Sequence, residues 1–312
     1  MTSWVARTVA SKQWTSVAYG NGVFVAVGAS STTCGYSTDG ITWSSGTIGS
    51  GLNWNTVAFG AGVFVIIAAN TSVSYSSPDG ITWTARTMPS SSQWNGLTYG
   101  GGLFVAVSGT TSNQSAAGYS SDGITWTAST LPSTSRWSSV TYGNGKWVAT
   151  AGNRYFTITT NKAAYSTDGI NWTAATLPST AYWSSVTYGD GKFVAIATQS
   201  AAGAVSTDGI TWTGTTMTGA SYWSSVTYGN GTFMAVAGYF SSNVYATSTD
   251  GSTWSASTMP SAQYWNALCF GNNQFVSLAG SLWYAIATTV GATYDMPAPA
   301  SPYNATQMFG MF

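Results

Sequence analysis

Eight acidic residues are the chain's whole stock of carboxylate chemistry, because all eight are Asp and the 312 residues include no Glu and no His. Six of them, Asp39, Asp79, Asp122, Asp168, Asp208 and Asp250, stand in one recurring phrase, of which "YSTDGITWS" at 36–44 is the first copy. General acid/base work by paired carboxylates would have to draw on Asp190 and Asp295, the only acids outside that phrase. Asp190 lies in "YGDGKF", where sibling segments carry Asn, Ala or Gly, so it reads as a turn residue. Without His, neither a Ser-His-Asp nor a Cys-His arrangement is available. Cys34 and Cys269 belong to no motif and read as buried free thiols; no spacing fits a metal site, and no cofactor is expected.

The phrases are positioned by a repeat. A Trp followed by a strand-like segment ending in Gly recurs at Trp14, Trp54, Trp94, Trp137, Trp183, Trp223 and Trp265, at intervals of 40, 40, 43, 46, 40 and 42 residues. That is the length of one four-stranded propeller blade. In the first unit "WTSVAYG" alternates, "NG" turns, "VFVAVG" has the character of a buried strand, and "CGYST-DG-ITWSS" forms a second hairpin. Asn-Gly and Asp-Gly are both read as two-residue turns with positive φ at each central residue. No segment keeps a helical period.

The fold expected is therefore all-β: a seven-bladed propeller of four-stranded antiparallel blades, one domain without linkers. The blades run approximately over 13–52, 53–93, 94–136, 137–182, 183–222, 223–264, and 265–294 together with 1–12. The match of "SWVARTVASKQW" (3–14) to "TWTARTMPSSSQW" (82–94) implies that residues 3–9 pair beside 283–294 and close the ring. In the seventh unit "ATTVGATY" (287–294) reads as a worn copy, with Val290 in the Asp place and Tyr294 in the Trp place. Six blades plus a remnant is the rival count.

The phrase S-x-D-G-x-T-W resembles the Asp-box of sialidase-like propellers, one residue shorter between Asp and Trp than the usual pattern. The resemblance implies a propeller and no single activity. Read physically, each Asp accepts hydrogen bonds from backbone N–H groups just ahead of it. The paired Trp43, Trp83, Trp126, Trp172, Trp212 and Trp254 anchor the outer hairpins on a neighbouring blade. Sialidase chemistry would need an arginine cluster, a tyrosine nucleophile and supporting acids. Here Arg7, Arg86, Arg136 and Arg154 fall in different blades, Arg7 and Arg86 at equivalent positions. The chain is accordingly expected to be no enzyme.

Binding is expected on the face carrying the variable loops. From the second-strand aromatic to the Asp position four units span 15 residues, and the third, fourth and sixth span 18, 21 and 17. The longer loops bring Arg154, Tyr155, Phe156 and Lys162 in the fourth unit and Tyr239 and Phe240 in the sixth. Aromatics among neutral hydrogen-bonding groups suit a sugar. The ring of strand-opening Trp residues is a second candidate, with blade packing as its plainer reading. Residues 295–312 lie outside the repeat as an extended Pro-containing arm tipped by Met308, Phe309, Met311 and Phe312, a hook for another subunit and a route to oligomers.

Charged residues make up 5% of the chain, with 8 Lys plus Arg against 8 Asp, so no polyanion-binding surface is expected and nucleic acid is excluded as a partner. No apolar run reaches membrane-spanning length, and "MTSWVARTVASKQW" shows no secretory pattern. Together with the near-identical repeats, the docking-type arm and the resemblance of the phrase to Asp-box-like repeats of phage structural proteins and bacterial adhesins, these features imply a bacteriophage virion component, such as a tail, fibre or surface decoration protein, made in the cytoplasm. Its partners would be other virion subunits or a host cell-surface glycan. The alternative is a lectin-like or adhesin module, extracellular or on a cell surface.

Overall fold

A computed structural model describes residues 3–109, 114–152, 159–219, 222–238, 242–280 and 288–296. Among these residues every regular element is a strand, and the strands fall into seven four-stranded antiparallel blades. The first blade consists of Trp14–Gly20, Val23–Gly28, Ser31–Ser37 and Ser44–Leu52 in that order. The fourth and fifth blades join into one seven-stranded sheet, because Thr173–Gly189 runs unbroken from the outer strand of one into the inner strand of the other.

The second strand of each blade is the apolar centre. Val23–Gly28, Val63–Ala68 and Lys192–Thr198 are buried at every position after the first, which is why they read as continuous runs of Val, Ile, Phe and Ala. Both faces of a blade are thus apolar and each packs on a neighbour. Val25, Val27, Cys34 and Ile48 of the first blade share a core with Trp54, Phe64, Ile66 and Trp83 of the second. The same kind of core joins last to first: Ala267, Cys269, Val276 and Leu278 pack on Trp14, Val17, Phe24 and Ala26.

The inner turns have the conformation the sequence predicts. Asn21, Ala61, Asn144, Asp190, Asn230 and Asn272 adopt φ of 46–48°, each followed by a second residue of positive φ. The Gly that ends each first strand answers a different need, close approach. The next blade's aromatic lies across its Cα, so a Cβ built on Gly60 would sit 1.9 Å from the Tyr99 ring and one on Gly143 1.9 Å from Tyr188. The series closes on itself, since Gly271 meets the ring of Tyr19.

Closure at the outer edge uses the N-terminal strand, as the repeat implies. Val5–Lys12 pairs antiparallel with Thr288–Asp295, in the register Val5↔Thr293, Ala6↔Ala292 and Arg7↔Gly291. The seventh unit is laid out differently from the expected worn copy. Tyr294 pairs with Phe275 as Ser37 pairs with Phe24, so Tyr294 stands in the Ser place of the phrase, not the Trp place. The Trp place is taken by Trp4, 6% exposed, its ring centroid 5.6 Å from that of Tyr294 and 6.0 Å from that of Tyr245. The outer hairpin of this blade is split between the two ends of the chain, so no single segment carries a complete copy.

Two glycines separate steric from conformational demand. Gly143→Ala should lower unfolding stability by about 3 kcal/mol, because its Cβ would overlap the Tyr188 ring at 1.9 Å and push the ring off its blade. Gly145→Ala, at φ 71° but with nothing within 4 Å, should cost only about 1–2 kcal/mol. Equal losses in urea unfolding would contradict this packing of aromatic on glycine.

Candidate functional site

The recurring aspartates form one turn, built six times. Asp39 Oδ1 accepts the backbone N–H of Ile41 and Thr42 at 2.8 Å and the Ser37 hydroxyl at 2.9 Å, while Ser37 Oγ accepts the N–H of Gly40 at 2.9 Å. The same bonds recur at Asp79, Asp122, Asp168, Asp208 and Asp250, all within 2.7–2.9 Å. This corrects the two-residue reading of Asp-Gly. Only the Gly has positive φ (71° at Gly40), because the carboxylate reaches amides two and three residues ahead and holds the turn open.

Each turn is docked on the preceding blade. A Cβ on Gly80 would lie 2.3 Å from Val25 Cγ2, and the Gly80 carbonyl accepts the Cys34 thiol at 3.3 Å. Trp83 Nε1 donates to Cys34 Sγ at 3.3 Å, so the phrase's Trp anchors one blade on another, as expected. Trp83, Trp126, Trp212 and Trp254 are buried, while Trp43 and Trp172 are half-buried. Both cysteines are free and buried, and burial pushes both thiols up, Cys34 against opposing hydrogen bonds from Trp83 and Gly46.

The backbone donors hold these carboxylates below the usual range. At Asp39 and Asp79 the N–H of Thr42 and of Thr82 is the largest influence, and at Asp208 that of Ile210. At Asp122 partial burial is the largest influence and pushes upward, but the N–H groups of Thr125 and Ile124 outweigh it. Asp168 and Asp250 lie lowest, Asp168 helped by the Asn171 side chain, which donates to Oδ2 at 2.8 Å.

Engagement through Oδ1 does not remove the groups from solvent. Asp208 and Asp250 both line one groove of about 340 Å³ between the fifth and sixth blades, with Lys192, Val205, Thr211, Thr213 and Ser252. The expectation that the acids serve the turns alone is therefore too strong. The sixth blade differs from its siblings at this point. Five phrases place Ile41, Ile81, Ile124, Ile170 or Ile210 after the Gly, whereas the sixth places Ser252. At the equivalent position Ile41, Ile81, Ile124 and Ile210 are exposed, so at this groove a small hydroxyl side chain stands where four siblings hold a large apolar one in solvent. No run or motif in the sequence marks this groove; a single departure from the repeat does.

The other candidates divide. All seven strand-opening Trp residues are at most 1% exposed, so they pack blades and present no surface. Arg7 Nε donates to Thr293 at 3.1 Å and Arg86 Nε to Ser76 at 3.0 Å, equivalent bonds at equivalent positions. Asp190 is a turn residue, 3.7 Å from Lys192. Lys162 is exposed and donates to the Thr134 carbonyl at 2.9 Å. Arg154, Tyr155, Phe156, Tyr239 and Phe240 lie outside the described residues, as do Met308, Phe309, Met311 and Phe312.

Sequence reasoning missed a second ring of polar contacts around the propeller axis. In six of the seven blades the residue after the opening Trp reaches the next blade, while Asn266 bonds the Gly280 carbonyl of its own. Thr15 donates to the Trp54 carbonyl at 2.6 Å, Asn55 to that of Trp94 at 2.8 Å, Ser138 to that of Trp183 at 2.9 Å and Ser224 to that of Trp265 at 2.6 Å. One residue further on, the hydroxyls of Ser16, Ser139 and Ser185 accept the N–H of Val57, Val186 and Val226. The signal is Thr, Asn or Ser after every Trp, but such residues read equally well as surface.

No family model matches the sequence, and no curated protein matches it. Solved structures share the fold. A streptogramin B lyase superposes with a TM-score of 0.78 at 11% identity, covering 94% of this chain and 97% of its own. Virginiamycin B lyase from Staphylococcus aureus gives 0.79 at 10% identity over 95% of this chain and all of its own. YCF48 bound to D1 peptide gives 0.69 at 14% identity over 94% and 95%. The expectation that the chain is no enzyme is corrected by this finding, because two of these neighbours are lyases and the scaffold is one on which catalysis occurs. At such identities the likeness shows the fold, shared by enzymes and binding proteins alike.

The lowered carboxylates fix the sign of a pH dependence. The unfolded chain binds protons at these Asp residues before the folded one does, so stability is fully present above about pH 5 and falls as acidification passes the ordinary carboxylate pKa of about 3.9. Urea midpoints should be flat from pH 7 to about 5 and drop between about pH 4 and 2. A midpoint that rises on acidification would contradict the turn geometry.

Proposed function

We propose that this propeller is a binding and assembly component of a bacteriophage virion, in its tail, fibre or surface decoration. There it would hold neighbouring subunits or a host cell-surface glycan. The observation that carries the reading is where the charge goes. Charged residues are only 5% of the chain and balance at zero net charge, and six of the eight acids spend one carboxylate oxygen on a turn, which leaves a rigid body with a sparsely charged surface rich in hydroxyls. Such a surface recognises partners by hydrogen bonding and shape, and it repels neither other subunits nor neutral sugars. The resemblance of the turn phrase to the Asp-box of phage structural proteins and adhesins belongs to this reading, with an extracellular or cell-surface adhesin as the alternative placement.

The groove at Ser252 favours carbohydrate as a bound class. Its lining offers carboxylate acceptors, an ammonium donor at Lys192, threonine hydroxyls and one apolar side chain, Val205, a mixture that suits a sugar. Virion incorporation is tested by mass spectrometry on density-purified particles from the producing host. A fixed copy number per particle is expected, and recovery only as free protein in the lysate would overturn it. Sugar binding is tested on a glycan array with wild type and Ser252→Ile, which restores the residue of the other five turns. Binding abolished in the variant at unchanged thermal midpoint is expected. Silence of the wild type, or binding indifferent to Ser252→Ile, would overturn the groove as the sugar site.

A further inference from the structure

Four Asn-Gly steps occur in the chain, at 21–22, 95–96, 144–145 and 230–231. As dipeptides they share one reactivity, because Gly has no side chain to shield its amide nitrogen from the carbonyl carbon of the preceding side chain. The fold sorts them by how firmly the Asn amide is held and how open the Gly is. Asn95 lies in the strand Trp94–Gly100 and commits both amide hydrogens, to the carbonyls of Gly109 and Trp137, each at 3.0 Å. Its Gly96 is buried, with Val107 2.9 Å from the Cβ position. The other three steps form inner turns, and nothing lies within 4 Å of the Cβ position of Gly22, Gly145 or Gly231. Among these, Asn230 is half-buried and donates to Asn273 Oδ1 at 3.1 Å, and Asn273 is itself held by the Met296 carbonyl at 3.0 Å. Asn21 and Asn144 are exposed. Asn144 reaches only the Thr207 carbonyl, at 3.5 Å, and Asn21 makes no hydrogen bond among the described residues.

We propose that Asn21 and Asn144 are sites of spontaneous covalent modification, converted by water to Asp and isoaspartate, while Asn95 and Asn230 are spared. The Gly nitrogen gives up its proton and bonds to the Asn Cγ, the Cγ–Nδ2 bond breaks, and the amide leaves as ammonia. Water then opens the cyclic imide, at the side-chain carbonyl to give Asp or at the backbone carbonyl to give isoaspartate. Nothing is oxidised or reduced, and water is the sole co-reactant. The fifth inner turn shows that the Asp product is accommodated: Asp190 stands in the Asn place at φ 46°, 3.7 Å from Lys192. Lys146 follows Asn144 in the same register, Gly143↔Lys146 as Gly189↔Lys192, so an Asp formed there meets the same partner. The chemical consequence is charge. A chain that begins with 8 bases against 8 acids holds 8 against 10 after both conversions, a net charge of −2 on a sparsely charged body. One of the new carboxylates would stand beside Thr207, which lines the groove of Asp208 and Asp250.

The test ages the folded protein in mildly alkaline buffer, which favours loss of the Gly proton, and follows each Asn by peptide mapping with mass spectrometry. Enzymatic methylation of isoaspartate is the second readout. Conversion at Asn21 and Asn144 several-fold faster than at Asn95 and Asn230 is expected. In urea the four steps should convert at similar rates, which assigns the difference to the fold and not to the dipeptide. Asn273→Ala removes the acceptor that holds Asn230 and should raise conversion at Asn230 several-fold. Resistance of Asn21 and Asn144 in the folded protein, while the unfolded chain reacts, would overturn the proposal. So would conversion of Asn95 or Asn230 as fast as theirs, and indifference of Asn230 to Asn273→Ala would refute the hydrogen bond as what spares it.

Discussion

Every blade of this protein is apolar on both faces, and neither face can be left to water. That constraint organises the whole molecule. A four-stranded sheet with a fully buried second strand has no core of its own, so stability resides in the interfaces. The cores observed are shared by consecutive blades, and one joins the seventh to the first. An open array would expose two such faces and an unpaired strand edge. The seventh blade satisfies the constraint by taking its outer strand, Val5–Lys12, and its anchoring Trp4 from the other end of the chain.

Polar groups reinforce the same interfaces at both ends of the blades. At the periphery the aspartate turn sets its Gly against the valine of the preceding blade and turns one carboxylate oxygen inward to backbone amides. Near the axis, Thr, Asn and Ser donate to the next blade's carbonyls. The first-blade turn shows how far the pattern carries around the ring: Gln274 of the seventh blade donates to the Asp39 carbonyl at 2.6 Å. The aspartates are thus structural through one oxygen while all six stay open to solvent, Asp208 and Asp250 along one shared groove.

Much of the fold is legible in the residues because its signals are local and repeated. Asn-Gly at fixed distance from Trp names a hairpin, and sevenfold recurrence near 42 residues names a blade. The likeness of residues 3–14 to 82–94 is enough to identify the closing strand. What the residues conceal is of two kinds. A dipeptide rule misreads the Asp-Gly turn, because hydrogen bonds from the carboxylate to amides two and three residues ahead make a wider turn in which Asp keeps negative φ. Tyr294 aligns by resemblance with a Trp-ending phrase, although strand pairing with Phe275 sets its place. The candidate groove depends on Ser252, one residue in an otherwise faithful copy, and the axial ring on small polar residues whose surroundings only the closed ring creates.

The functional reading rests on this architecture: a ring that closes cooperatively is a rigid platform, and its binding features occur where a repeat departs from its siblings. Native-state hydrogen exchange, followed residue by residue in Val5–Thr8 and their partners Val290–Thr293, probes the closure itself. Protection in these amides equal to that of the other outer strands, lost only when the whole ring unfolds, is the expected result. Rapid exchange confined to this pair, with the remaining blades still protected, would show that the propeller stands without its closing strand and would contradict closure as its organising constraint.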